Sequence, residues 1–350
     1  MTAEPGRGAG PGAPGPALRI DLFLLAGLFP GLTHAGALSA AVDYAEAAER
    51  AGFDGVWLAE HHFSAYGTCP SAVVLAGHLL GRTSRLRVGT AAVILPNRHP
   101  VALAEETALL DAVSGGRFDL GVARGGPWVD LEVFGTGLDR YNHDGFAAAL
   151  DLLLAGLSGA ATIAGDGDRF AFREVPMVPV AARRPPVWVA ATGSSTVELA
   201  AARGLPLLLG MHDDTTAKAE MLHRYATAGT RTPPPGHAST HLAFVADTVE
   251  EAETVLRRTM PAWLAAAGGS PRIDGTAPPR RDPAAYLEHL LAIHPVGPPE
   301  RCVQRLAATI GATGVRRLLL MVEGAGEPAR TLANIERLGR EVLPPLRRLR

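Results

Sequence analysis

The sequence predicts a (β/α)8 barrel with insertions after the fourth and seventh strands. Eight short apolar runs alternate with helix-like segments along the chain. Each run is continuously apolar, as in strands buried on both faces. The rival architecture, a doubly wound open sheet, would carry a glycine fingerprint directly after a strand. Gly8, Gly10 and Gly12 follow no strand.

The first run, 20–25, follows a Gly/Pro-rich stretch to about residue 18 that reads as a disordered tail. The remaining runs are 55–59, 86–93, 118–123, 186–191, 206–209, 240–245 and 317–322. Between them the expected helices are 38–51, 71–82, 101–114, 142–157, 194–203, 215–229, 248–266 and 299–313, with a last one at 328–342. Gly52, Gly115, Gly204 and Gly314 sit where helix ends favour a left-handed residue. Residues 158–185 and 268–297 break the rhythm and read as lids or disordered insertions. Residues 19–350 are therefore expected to form one barrel domain.

Composition narrows the function. The 350 residues are 47% hydrophobic, enough for a large core. A net charge of -2 argues against a nucleic-acid binder or a polybasic membrane protein. No apolar run is long enough to span a bilayer. The stretch from Arg7 to Ala37 imitates a signal peptide only loosely, because Asp21 heads its apolar run and its start is not compactly basic. Cys69 and Cys302 are the only cysteines and lack zinc or dithiol spacing. This fits a reducing, cytoplasmic compartment and no metal site.

In a barrel of this kind, chemistry sits where strands end. The second run ends in Glu60-His61-His62-Phe63, a carboxylate and two imidazoles that are costly to bury without partners or a task. The third carries Gly89-Thr90-Ala91-Ala92 and leads to Asn97-Arg98-His99-Pro100. The fourth ends at Arg124 and the fifth at Thr192-Gly193-Ser194-Ser195-Thr196. That last segment opens a helix whose free N–H groups favour a phosphate, to which Arg124 would add a charge-assisted contact. Ordinary N-capping by Ser and Thr explains the same residues equally well. His99 reads as a loop or capping residue. His212-Asp213-Asp214 reads as a substrate contact or a helix cap. Trp128, Phe134 and Tyr141 read as a substrate wall or as core.

The ordered motifs resemble a known family. They are Gly52-Phe53-Asp54-Gly55-Val56-Trp57-Leu58-Ala59-Glu60-His61-His62-Phe63, Leu80-Gly81-Arg82-Thr83 and Val88-Gly89-Thr90-Ala91-Ala92. Ser114-Gly115-Gly116-Arg117-Phe118, Gly121-Val122-Ala123-Arg124-Gly125, Val133-Phe134-Gly135 and Pro295-Val296-Gly297-Pro298-Pro299-Glu300-Arg301-Cys302 follow collinearly. Over about residues 19–348 the chain resembles the bacterial luciferase-like, flavin-dependent monooxygenases, the luciferase alpha subunit more than the deazaflavin-using branch. The resemblance implies reduced FMN at the C-terminal face of the barrel. It implies a flavin hydroperoxide, formed with O2, that oxygenates a small organic metabolite. It makes His61 the catalytic imidazole with His62 beside it. It places Glu60, Ala91, Ala92, Arg124, Thr192, Gly193, Ser194 and Thr196 around the cofactor, with a non-proline cis peptide at Ala91-Ala92.

Departures from the family pattern bear on substrate. Ala123 replaces a reactive Cys, Thr192 a phosphate-region Glu, Asn142 an Arg, and Met211 an aromatic. The lid-like 268–292 is shorter and richer in Pro. Aldehyde preference and light emission are therefore not expected. Cys69 reads as a small buried apolar residue more readily than as a pocket residue. The expectation is a non-luminescent tailoring monooxygenase of secondary metabolism, such as antibiotic biosynthesis. It would form a homodimer through 71–82 and 101–114, and a separate flavin reductase would supply FMNH2. The alternatives are a flavin or deazaflavin hydride-transfer oxidoreductase and a non-catalytic flavin-binding subunit.

Overall fold

The computed structural model describes residues 17–229, 236–267, 271–277 and 281–349. Up to residue 16 the expected tail lies outside them, and Leu18 is already buried in the core. Eight parallel strands form the barrel: β1 (Arg19–Leu24), β2 (Gly55–Leu58), β3 (Arg87–Thr90), β4 (Phe118–Ala123), β5 (Val187–Ala191), β6 (Leu207–Leu209), β7 (Ala238–Leu242) and β8 (Arg317–Met321). The order runs β3-β2-β1-β8-β7-β6-β5-β4, and pairing of β3 with β4 closes the ring.

The outer helices are α1 (His34–Ala51), α2 (Ala72–Arg82), α3 (Pro100–Val113), α4 (His143–Gly156), α5 (Ser194–Ala202), α6 (Thr215–Ala228), α7 (Val249–Ala266), α8 (Pro283–Ile293), α9 (Pro299–Thr313) and α10 (Pro328–Arg337). Their ends follow local chemistry. The Thr33 hydroxyl caps α1 by accepting from Gly36 N–H at 3.0 Å, and Gly52 closes it in the left-handed region. Pro299 opens α9 and Gly314 closes it at φ 68°.

Several expectations need correction. The third run is not one strand. It stops at Thr90, makes the cis peptide Ala91-Ala92, and resumes as Val93–Ile94 against Val122 and Ala123. The seventh run also divides, and Phe244–Val245 pairs instead with Val296–Gly297. The first insertion is an antiparallel hairpin, Thr162–Gly167 with Phe170–Pro176. The second contains α8, which is amphipathic enough to bury Leu287, Leu290 and Leu291. Neither insertion is a structureless loop, because each buries apolar side chains of its own against the barrel.

The barrel interior is unusual in holding a cation. Arg317 is buried with its guanidinium 5.2 Å from the Trp57 ring centroid and 5.0 Å from that of Trp188. Its Nε lies 3.3 Å from Asp21 and its Nη1 3.2 Å from Asp119. Asp119 also binds Arg87, and Asp21 accepts from the Trp57 indole at 2.8 Å. Gly89 makes room for Trp57, since a Cβ there would lie 2.6 Å from the indole.

His241 and His294 are buried, with ring centroids 5.5 Å apart. Burial holds His241 well below 6.5 and pushes His294 down to about 3. Unfolded, both rings titrate near 6.5, so the unfolded chain binds more protons below that pH. The stabilisation from these rings is then complete above about pH 7 and lost as pH falls, by about 2 kcal/mol at pH 5 for His294 and in the same direction for His241. Burial raises Glu323 to about 7, which works in the opposite sense and offsets roughly one ring. His61 and His237, each pushed down to about 4 by burial, add to the loss. Urea midpoints should therefore fall between pH 7.5 and pH 5, and a flat profile would contradict neutral buried imidazoles.

Candidate active site at the barrel mouth

A cavity of about 530 Å3 opens at the C-terminal end of the strands. Glu60, His61 and His62 reach it from the end of β2, Gly125 and Gly126 from β4, and Thr192 from β5. Trp128 and Tyr66 give it aromatic walls, and Tyr286 and Arg281 close over it from the second insertion.

Glu60 is the most constrained of these groups. Its Oε2 accepts from Ala72 N–H, the first residue of α2, at 3.1 Å and from Arg98 Nη2 at 3.2 Å. Its Oε1 accepts from Ile94 N–H at 3.1 Å and lies 3.6 Å from His62 Nε2. The carboxylate thus ties together β2, α2 and the segment just past the cis peptide. Arg98 is held in turn by Ser71 Oγ at 2.9 Å and Glu106 at 3.2 Å. Arg98 lies in the Asn97-Arg98-His99-Pro100 segment after the third run, and no spacing in the sequence links it to Glu60.

His61 is half-buried. Its backbone N–H donates to Cys69 C=O at 3.0 Å, and its ring meets Tyr66 edge-on at 5.2 Å. Gly67 permits this placement, because a Cβ there would lie 2.4 Å from His61 Nδ1. Burial pushes the imidazole down to about 4, against the pull of Glu60. The ring is therefore neutral at pH 7. Neither His61 Nδ1 nor His62 Nε2 has a hydrogen-bond partner among the described residues. The His62 ring packs edge-on against Phe134 at 5.0 Å. Trp263 on α7 fixes this whole loop: it stacks on Tyr66 at 4.4 Å and donates to Tyr66 C=O at 2.8 Å.

The other candidates divide. Ala91 is half-buried and Ala92 buried, joined by the expected non-proline cis bond. Arg124 lies over the Tyr141 ring at 4.8 Å and has no carboxylate partner among the described residues. Thr192 faces both the mouth cavity and an adjoining cleft of about 870 Å3 between α5 and α6. Gly193 and Ser194 line that cleft, and Thr196 is buried behind them. Gly193 is the N-cap of α5 and no side chain caps the helix, so ordinary Ser/Thr capping does not account for this segment. Elsewhere capping does account for the residues. His99 caps α3, Asp214 caps α6, and Asn142 accepts from Gly145 N–H at 2.7 Å to cap α4. Cys69 is buried, and burial pushes its thiol up to about 11. Among the described residues no group of three His, Cys, Asp or Glu is placed to hold a metal. No described helix is long and apolar enough to cross a membrane.

The sequence profile of the luciferase-like monooxygenases matches residues 18–317. The chain belongs to the luciferase-like monooxygenase family. Among the relatives of this family member, the alkanal monooxygenase alpha chain of a Kryptophanaron alfredi symbiont is 29% identical over 94% of this chain and 99% of the relative. The alkanal monooxygenase alpha chain of Photorhabdus luminescens is also 29% identical, over 94% and 98%. Solved structures share the fold. Monooxygenase RslO1 from Streptomyces bottropensis superposes with a TM-score of 0.78 at 21% identity, covering 94% of this chain and 99% of that one. The oxygenating constituent of 3,6-diketocamphane monooxygenase from Pseudomonas putida, solved with FMN, gives 0.73 at 20%, covering 94% and 98%. An F420-dependent secondary alcohol dehydrogenase gives 0.71 at 15%, covering 94% and 99%. The chain is thus a luciferase-like flavin-dependent monooxygenase by family; of these neighbours one was solved with FMN and one is F420-dependent.

Proposed function

We propose that the protein is an FMNH2-dependent monooxygenase that oxygenates a small organic metabolite with O2, as a tailoring step in secondary metabolism. One observation carries this reading: unpartnered imidazoles line a mouth cavity that connects, through Thr192, to a cleft at an uncapped helix N-terminus. The first fits a flavin ring and its substrate, the second a phosphate. When bound, reduced FMN would supply the two electrons that activate O2, with one oxygen atom entering the substrate and the other leaving as water. His61, neutral at pH 7, takes up a proton during that transfer. Glu60 and Arg98 hold the β2 end and the cis segment in register. Tyr66 and Trp128 exclude water from the ring-binding space. Incubation of FMNH2, O2 and candidate metabolites, read by mass for one added oxygen, tests the reading. Reduction or oxidation of substrate without oxygen consumption would favour the hydride-transfer alternative instead.

Arg124 is assigned to the FMN phosphate with Gly193, Ser194 and Thr196. Arg124→Ala should weaken FMN binding about 10–100-fold, the worth of a charge-assisted contact. Equal affinities by fluorescence titration would remove Arg124 from the site. A separate flavin reductase is assigned as the source of FMNH2, since no dinucleotide fingerprint follows a strand. Homodimerisation is assigned to α2 and α3, whose outer faces leave Val74 73%, Leu109 51% and Val113 71% exposed. Light scattering at micromolar concentration should give twice the chain mass, and a monomer would reject the assignment.

A further inference from the structure

The end of the barrel remote from His61 holds a second cavity, of about 320 Å3, at the N-terminal ends of the strands. Arg19 of β1, Arg87 of β3, Arg183, and Arg316 and Arg317 at β8 line it together with Asp119 of β4. A concentration of guanidiniums in one concave space is costly unless the charge is met.

The charge is met only in part. Arg87 binds Asp119 at 2.5 Å, Arg317 binds Asp21 and Asp119, and Arg183 binds Asp111 at 2.8 Å. Arg19 has no carboxylate partner among the described residues. Even with Arg316 set aside, four guanidiniums face three carboxylates. Spare donors remain for a ligand. Arg317 commits Nε to Asp21 and Nη1 to Asp119, and Nη2 donates to nothing among the described residues. Arg183 commits only Nη2, to Asp111 and Gly116 C=O. Asp21 and Asp119 are almost wholly buried, whereas Arg19 and Arg183 are exposed.

The two layers have different work. The inner layer, Arg87 and Arg317 with Asp21 and Asp119, neutralises itself and holds the barrel interior. The outer layer adds positive charge that the inner layer does not need. Guanidinium forks match the oxygens of a phosphate bidentately, and a multiply charged oxyanion satisfies several forks at once.

We propose that this cavity binds a small phosphate-type oxyanion, inorganic phosphate or pyrophosphate, at the opposite end of the barrel from the oxygenation site. Arg19, Arg183 and Arg317 Nη2 are its donors, and Trp188 forms part of the wall. The site is independent of the flavin chemistry and stands whether or not that reading holds.

Calorimetric titration of the full chain with sodium pyrophosphate, and separately with inorganic phosphate, in low-salt chloride buffer tests it. The expected result is a saturable site that weakens at least tenfold in an Arg19→Gln/Arg183→Gln double variant. Both side chains are exposed, so circular dichroism should match wild type, and melting should fall only by the loss of the Arg183–Asp111 pair. Arg330→Gln, an exposed arginine paired with Glu327 on another face, should leave affinity unchanged. A preference for pyrophosphate over phosphate identifies the larger anion as the better fit. Absence of saturable binding would overturn the proposal. So would binding that the double variant retains in full, because anion binding at the opposite face is untouched by these substitutions.

Discussion

Alanine at His61 should lower substrate oxygenation by about 10²–10⁴-fold, the usual worth of a positioned proton-transfer group. Three features of the site motivate this magnitude. The ring sits on the wall of the mouth cavity, it is neutral at pH 7 because burial pushes it down to about 4, and its Nδ1 has no protein partner. A neutral imidazole on the wall of the reaction space can relay a proton, and burial makes it a weak base that does not retain it. FMN affinity should change little, because the phosphate is assigned to Arg124 and the α5 N-terminus on another side of the mouth. Release of hydrogen peroxide from FMNH2 and O2 should persist or grow. His62→Ala should be milder, since its ring faces Phe134 and Glu60 and supports its neighbour. A His61→Ala protein that oxygenates at the wild-type rate would leave His61 as a structural residue of the pocket.

The second large effect is on stability. Arg317→Met should destabilise the fold by about 3–5 kcal/mol, the range for removing one member of a buried charge network. Arg317 is the shared partner of Asp21 and Asp119, both buried. Without it, Asp119 still holds Arg87. Asp21 keeps only the Trp57 indole, and its Oδ1 has no partner even now. Burial already raises Asp21, so in the variant it would take up a proton rather than stay charged. Methionine also forfeits the cation–π contacts with Trp57 and Trp188. Adding Asp21→Asn should recover part of the loss, because the orphaned charge is then gone. An unchanged urea midpoint in Arg317→Met would show that the network contributes nothing net.

Much of the fold was legible from local signals. The third run illustrates the limit. Its apolar continuity through 86–93 marked a strand, yet the backbone turns at Ala91-Ala92. Composition carries no trace of that turn, and the resemblance alone placed it. The second insertion illustrates another limit. Its Pro and Arg content read as lid or loop, whereas α8 forms because Leu287, Leu290 and Leu291 share one face that α7 covers. Propensity was overridden by a partner far away in sequence.

The sequence by itself determined the barrel class, the capping glycines and the polar groups that end β2, β4 and β5. These are consequences of hydrophobic period, helix-end geometry and chain order, which act over a few residues. Only the tertiary structure decided what those groups face. Glu60 meets Arg98 across 38 positions, Trp263 meets Tyr66 across 197, and Glu323 holds Leu25 and Gly27 across nearly 300. The mouth cavity, the neutral state of His61 and the arginine-lined cavity beneath all depend on such pairs. Contacts at that separation arise from ring closure of the sheet, and no short window of sequence contains both partners.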